Sequence, residues 1–124
     1  MQSAIGRLRA RGSSHTGLHH WKAQRVTAIS NLLLVLWFLF NAISMAGAGY
    51  AEWAAWFQSP LNASLMVMLV LSVFYHAKMG VQVMIEDYVH TEGLKVAGLV
   101  GITLLAAALA TACIVSILML ATGG

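Results

Sequence analysis

The chain has 124 residues, of which 60% are hydrophobic and only 9% charged, with a formal net charge of +3. A water-soluble domain carries about one-quarter charged residues. The composition, with a mean hydropathy of +0.79, therefore excludes an ordinary soluble domain, and the clustering of the basic residues ahead of the first apolar run argues against a nucleic-acid surface.

Uncharged intervals occupy residues 26–51, 53–77 and 96–124, and each exceeds the roughly 20 residues a helix needs to cross a bilayer. The runs are continuous, whereas barrel strands alternate, and hydrocarbon offers no partner to a free backbone group. The expected fold is all-α integral membrane, with three transmembrane helices near 26–46, 61–85 and 94–122 forming one small bundle in an anchor domain, residues 21–124.

Residues 1–20 read as a basic N-terminal arm rather than an organelle leader, with its first dozen residues expected to lack order unless a partner holds them. Arg7, Arg9, Arg11, Lys22 and Arg25 precede the first span, while the loop after it has Glu52 and no Lys or Arg. The excess of positive charge places the N-terminus on the cytoplasmic side and the C-terminus outside. The arginines suit anionic lipid or a docked partner.

Within the first span, Ser30, Asn31 and Asn41 are polar enough to seek hydrogen bonds across a helix interface. Tyr50, Trp53, Trp56 and Phe57 follow as an outer aromatic belt, expected on one short interfacial helix stopped before Pro60. In the third span small residues recur four apart, at Ala97 with Gly101 and at Ala106 with Ala110, so another helix can approach closely. The single cysteine, Cys113, excludes an internal disulfide and reads as a packing residue. The chain shows no phosphate-binding glycine loop, zinc spacing or serine-nucleophile signature.

The second span holds the most informative residues. His76 lies inside hydrocarbon, where an imidazole persists only if a neighbour, a water cavity or a metal satisfies its nitrogens. At 100 degrees per residue His76, Gly80, Val83 and Asp87 share one stripe, and Gly80 clears room for something flat such as a porphyrin, or for a helix. Lys78 points roughly the other way and is expected to extend toward the headgroups. From the span alone His76 is open to three roles: haem ligand, interhelical hydrogen bond or proton relay. At the inner boundary Asp87 and Tyr88 supply a carboxylate and a phenol, which suit the carbonyl oxygens of a quinone or, equally, an ordinary helix end at the interface.

"RVTAI" at residues 25–29, preceded by "GLHHW", and the His76-x11-Tyr88 spacing with "EDYVH" resemble the hydrophobic membrane anchor subunit of bacterial succinate dehydrogenase, respiratory complex II. The resemblance covers nearly everything after Ser14. It implies a multi-pass protein of the bacterial inner membrane that packs with a second membrane anchor subunit, of cytochrome b type, around a shared haem b. An iron–sulfur subunit and a flavoprotein subunit would dock on the cytoplasmic side and carry the iron–sulfur clusters and FAD. Electrons from succinate would reduce ubiquinone in the tricarboxylic acid cycle and aerobic respiratory chain, with no complete active site and no catalytic residue in this chain alone.

By position the resemblance makes His76 the axial ligand to the haem iron and Tyr88, with Asp87 beside it, the quinone-binding pair. It places Arg25 and His19 near the haem propionates or the quinone pocket. The alternatives are the anchor of a fumarate reductase, which runs the same couple in reverse, and a small non-redox membrane scaffold in which His76 bonds only to a neighbouring helix.

Overall fold

The computed structural model describes residues 4–123, with side chains described from Leu18 onward except His20. Among the described residues four helices follow one another: α1 Ala4–Ser44, α2 Tyr50–Gln58, α3 Pro60–Tyr88 and α4 Glu92–Ala121. Three segments are long and apolar enough to cross a membrane, Trp21–Ser44 within α1, Pro60–Tyr88 and Glu92–Ala121.

The helices outrun the spans expected from hydropathy. The basic arm is helical from Ala4 and runs without a break into the first span. The "RLRAR" segment contains only strong helix formers, and no proline interrupts it. The inner end of α3 likewise continues past Ile85 to Tyr88. Apolar patterning marks where a helix leaves hydrocarbon, while charged helix formers let it continue into water.

Each helix end has a local cause. After α1, Gly47 adopts a positive φ of 86°, a conformation open to glycine at little cost. Proline stands at the first position of α3, where its missing N–H forfeits no helical bond. Ser59 alone separates α2 from α3, and the Asn62 side chain donates to the Trp56 carbonyl across the corner at 3.0 Å. The short interfacial helix expected before Pro60 is thus present as α2.

The three spans form the small bundle expected, in an open arrangement. α3 lies in the middle, packing on α1 along one flank and on α4 along another, and among the described residues α1 and α4 do not approach each other. Gly98 sets the closeness of α3 and α4: a Cβ there would lie 3.3 Å from Ile85 Cδ1. Only Leu34, Ala63, Leu69, Met79 and Ile117 form a buried core among the described residues.

The accessible surface is 8769 Å², against about 6,400 Å² for a compact soluble protein of 13.3 kDa. The excess is apolar, with Phe40, Ile43 and Leu104 each more than 60% exposed. In water such faces would drive aggregation; in a membrane they meet lipid or another subunit's helices. Hydroxyls on these faces satisfy themselves locally, as Ser44, Thr103, Thr111 and Ser116 donate to carbonyls one turn back.

The outer belt is partly a packing cluster. Trp56 stacks against Trp37 with ring centroids 5.6 Å apart and meets Trp53 and Phe57 edge-on. Its indole N–H donates to Asn41 Oδ1 at 3.1 Å, and the Asn41 amide donates to the Trp37 carbonyl at 2.9 Å. Asn41 therefore pins α2 onto the end of α1, while Tyr50 remains 76% exposed.

Candidate functional site

The site begins on α1. Gln24, Thr27, Asn31 and Leu34 stand at offsets of three, seven and ten and so share the face turned to α3. The Thr27 hydroxyl lies 2.9 Å from the Ala23 carbonyl and 3.1 Å from that of Gln24, the usual back-bonding of a helical threonine. It also reaches α3, with Oγ1 3.1 Å from His76 Nδ1. One turn away, Ser72 donates to the Thr27 backbone carbonyl at 3.3 Å. Two α3 side chains four residues apart therefore grip a single residue of α1.

This contact decides part of what the sequence left open. His76 does make an interhelical hydrogen bond, but only through Nδ1; among the described residues Nε2 has no protein partner. Its neighbour Gly80 is half-buried, and a Cβ built there would meet nothing within 4 Å. Val83 and Asp87 continue the stripe and are exposed. Among the described residues nothing covers the face running from His76 toward the inner end of α3, while Met79 beside it is packed to 3% exposure.

The interface is polar and unfinished. Gln24 Oε1 and Asn31 Oδ1, one turn to either side of Thr27, are buried without a hydrogen-bond partner among the described residues, which is rare in a folded protein. On the other side of the contact an open groove of about 370 Å³ is lined by Thr27, Ser30, Ser72 and Tyr75 and walled by Leu34 and Met68. Lys78 lies away from the His76 stripe, as expected, and borders a smaller groove of about 220 Å³ between α3 and α4 with Thr103 and Ala106.

The remaining candidates do not gather around His76. Tyr88 is the last residue of α3 and 77% exposed, with Asp87 exposed beside it. With a rise of 1.5 Å per residue they lie about 18 Å and 17 Å along α3 from His76. Arg25 is exposed, its guanidinium 5.1 Å from the centroid of the Trp21 ring, and leaves α1 about 200° from Thr27. Because α1 and α3 run antiparallel through the Thr27–His76 contact, Arg25 stands within about 3 Å of that level and the exposed His19 about 12 Å farther toward the inner end. His19 thus falls between the depths of His76 and Tyr88.

Sequence reasoning missed Thr27. It sits within the "RVTAI" stretch, but a threonine in an apolar helix ordinarily bonds only to its own backbone, so nothing local distinguished it. The signal lies in register: Thr27 and Gln24 share a face with the buried amide Asn31, opposite the span that carries the lone intramembrane histidine.

Residues 1–119 match the family described as succinate dehydrogenase/fumarate reductase transmembrane subunit. Similar proteins include the succinate dehydrogenase hydrophobic membrane anchor subunit of Rickettsia bellii (strain RML369-C), 32% identical over 76% of this chain and 75% of the relative. Those of Rickettsia conorii (strain ATCC VR-613 / Malish 7) and Paracoccus denitrificans are 30% and 31% identical, over 76% and 62% of this chain and 75% and 60% of their own. Three long apolar helices accord with that match. The chain belongs to the succinate dehydrogenase/fumarate reductase transmembrane subunit family, as a hydrophobic membrane anchor.

Proposed function

We propose that this anchor subunit holds haem b through His76 Nε2 and ubiquinone through Tyr88 and Asp87, in a complex of the bacterial inner membrane. A second membrane anchor, an iron–sulfur subunit and a flavoprotein complete that complex, and succinate is its electron donor. The observation that carries the reading is the His76 ring, bonded on one nitrogen and, among the described residues, without a partner on the other, beside a glycine with open space.

The residues present fit a porphyrin. Axial ligation needs an imidazole lone pair, a partner for the other ring nitrogen and room within one turn for a flat macrocycle. Nε2, Thr27 and Gly80 meet these three needs. Bound there, haem would supply a one-electron redox centre within the membrane.

The chain's own residues have narrower tasks. His76 fixes position and orientation from a helix locked to α1 at two points. Tyr88 donates a hydrogen bond to a quinone carbonyl oxygen, and Asp87 holds a water or a basic neighbour from which the reduced oxygen takes its proton. Arg25 and His19 supply polar contacts at the inner face, for haem propionates or the quinone pocket. Arg25 leaves the far side of α1, so it addresses a group reaching around that helix rather than the iron. The stripe below His76, left uncovered by the described residues, supports a second subunit's presence, because a helix face that carries a histidine at membrane depth needs covering.

Purification of the assembled complex, with an absorption spectrum of parent and His76→Ala, tests the haem assignment. A b-type spectrum lost in the variant supports it. The family description also covers fumarate reductase, and relative rates with ubiquinone and menaquinol discriminate the direction. The His76–Thr27 hydrogen bond is the one observation that favours a non-redox scaffold, and a colourless intact complex would establish that reading instead.

A further inference from the structure

We infer that Thr27 is a positioning residue for His76: its hydroxyl accepts the Nδ1–H proton, fixes the tautomer and so presents Nε2 as the electron-pair donor. This deepens the haem reading and rests on it.

Proton counting sets the direction of the Thr27–His76 hydrogen bond. The Thr27 hydroxyl has one hydrogen and two lone pairs. Two carbonyl oxygens, which cannot donate, lie 2.9 and 3.1 Å from Oγ1. If the hydroxyl gave its proton to His76, both carbonyls would face bare oxygen at hydrogen-bonding distance, an unfavourable contact. If it gives the proton to Ala23 or Gln24, a lone pair remains for the ring, and Nδ1 at 3.1 Å must then carry hydrogen. A neutral imidazole protonated on Nδ1 has its free pair on Nε2.

The hydroxyl is held for this purpose from both helices. Ser72 donates to the Thr27 carbonyl at 3.3 Å, so α3 grips the backbone of the same residue whose side chain it uses. Helical threonines elsewhere in the chain, Thr103 and Thr111, bond only to their own turn among the described residues. A hydrogen bond from the distal ring nitrogen raises the electron density a ligand delivers to iron, and loss of such a partner typically lowers metal affinity about 10- to 100-fold.

The test uses the assembled complex with Thr27→Val, which keeps the shape and removes the hydroxyl, and Thr27→Ser, which keeps the hydroxyl. Thr27→Val is expected to weaken haem retention about tenfold or more. It is also expected to move the ferric/ferrous equilibrium toward ferrous by up to about tenfold, an upward change in midpoint potential of up to about 59 mV for one electron. Thr27→Ser is expected to restore both.

An unchanged spectrum and potential in Thr27→Val, with haem still lost in His76→Ala, would overturn the role of Thr27 and leave the haem ligand standing. Haem that survives His76→Ala would overturn both. Thr27→Ser behaving like Thr27→Val would overturn the inference by assigning the effect to packing. Should Thr27→Val not assemble, nitrogen-15 histidine resonances of the reduced parent complex read the tautomer directly. An Nδ1–H of His76 that is shifted as a hydrogen-bonded imidazole N–H is and protected from exchange supports the inference, and a bare Nδ1 or an Nδ1–H without a hydrogen bond overturns it.

Discussion

Tyr88→Phe is expected to separate the proposed binding of the electron acceptor from every other task of the chain. The residue ends α3 and is 77% exposed, so loss of its hydroxyl is expected to change stability by no more than about 0.5 kcal/mol, as for surface substitutions generally. A hydrogen bond to a bound quinone contributes about 0.5–1.5 kcal/mol, which corresponds to about two- to twelve-fold in rate or affinity. A donor aimed at an oxygen that gains negative charge as it is reduced contributes more, up to about a hundredfold. The expected loss in kcat/KM for ubiquinone is therefore about tenfold. The assay compares succinate-driven reduction of ubiquinone with reduction of an artificial acceptor that takes electrons upstream of the anchor, on the same preparation. Unimpaired use of the artificial acceptor and a selective loss with ubiquinone would support the assignment. Full quinone activity in both Tyr88→Phe and Asp87→Asn would refute it.

Gly80→Leu fills space that is open among the described residues, so expression and membrane insertion should be normal while the haem-to-protein ratio of the complex falls severalfold. Asn41→Leu leaves the Trp56 indole N–H without its 3.1 Å acceptor; about 1–3 kcal/mol of stability should be lost, read as a lower melting midpoint of the detergent-solubilised complex, with haem content unaltered at temperatures below it. Gly98→Leu drives a side chain into Ile85, which already stands 3.3 Å from a built Cβ. The expected cost is about 1–3 kcal/mol, seen as reduced thermal stability, whereas Leu104→Ala on an exposed face should change it little.

The three spans were legible because burying a charge in hydrocarbon is costly, so an uncharged apolar run long enough to cross a bilayer marks a membrane helix. The short helix α2 was legible because Pro60 constrains its predecessor and suits the first turn of the next helix. The arrangement of the helices was not. An apolar face costs about the same against lipid as against protein, so composition alone does not say that α1 and α4 pack on α3 without meeting. Helix ends were blurred for a related reason, since Glu86, Asp87 and Tyr88 leave the apolar run but continue the helix.

At the site, His76 and Gly80 stood out by being anomalous in their surroundings and by sharing a stripe. Thr27 did neither. Its importance arises from antiparallel register, which sets residue 27 of one helix against residues 72 and 76 of another. Arg25 and His19 were legible as polar residues near the inner boundary, but their directions were not, and Arg25 proves to leave α1 on the side away from Thr27.

The central claim is that the free nitrogen of His76 binds iron. Its most direct test is the reduced-minus-oxidised spectrum of the complex co-purified through this chain, measured for the parent and for His76→Ala at matched protein concentration. The expected result is a b-type haem signal in the parent and its loss or marked perturbation in the variant. An identical haem signal in both, or a stable parent complex with no haem at all, would contradict the claim.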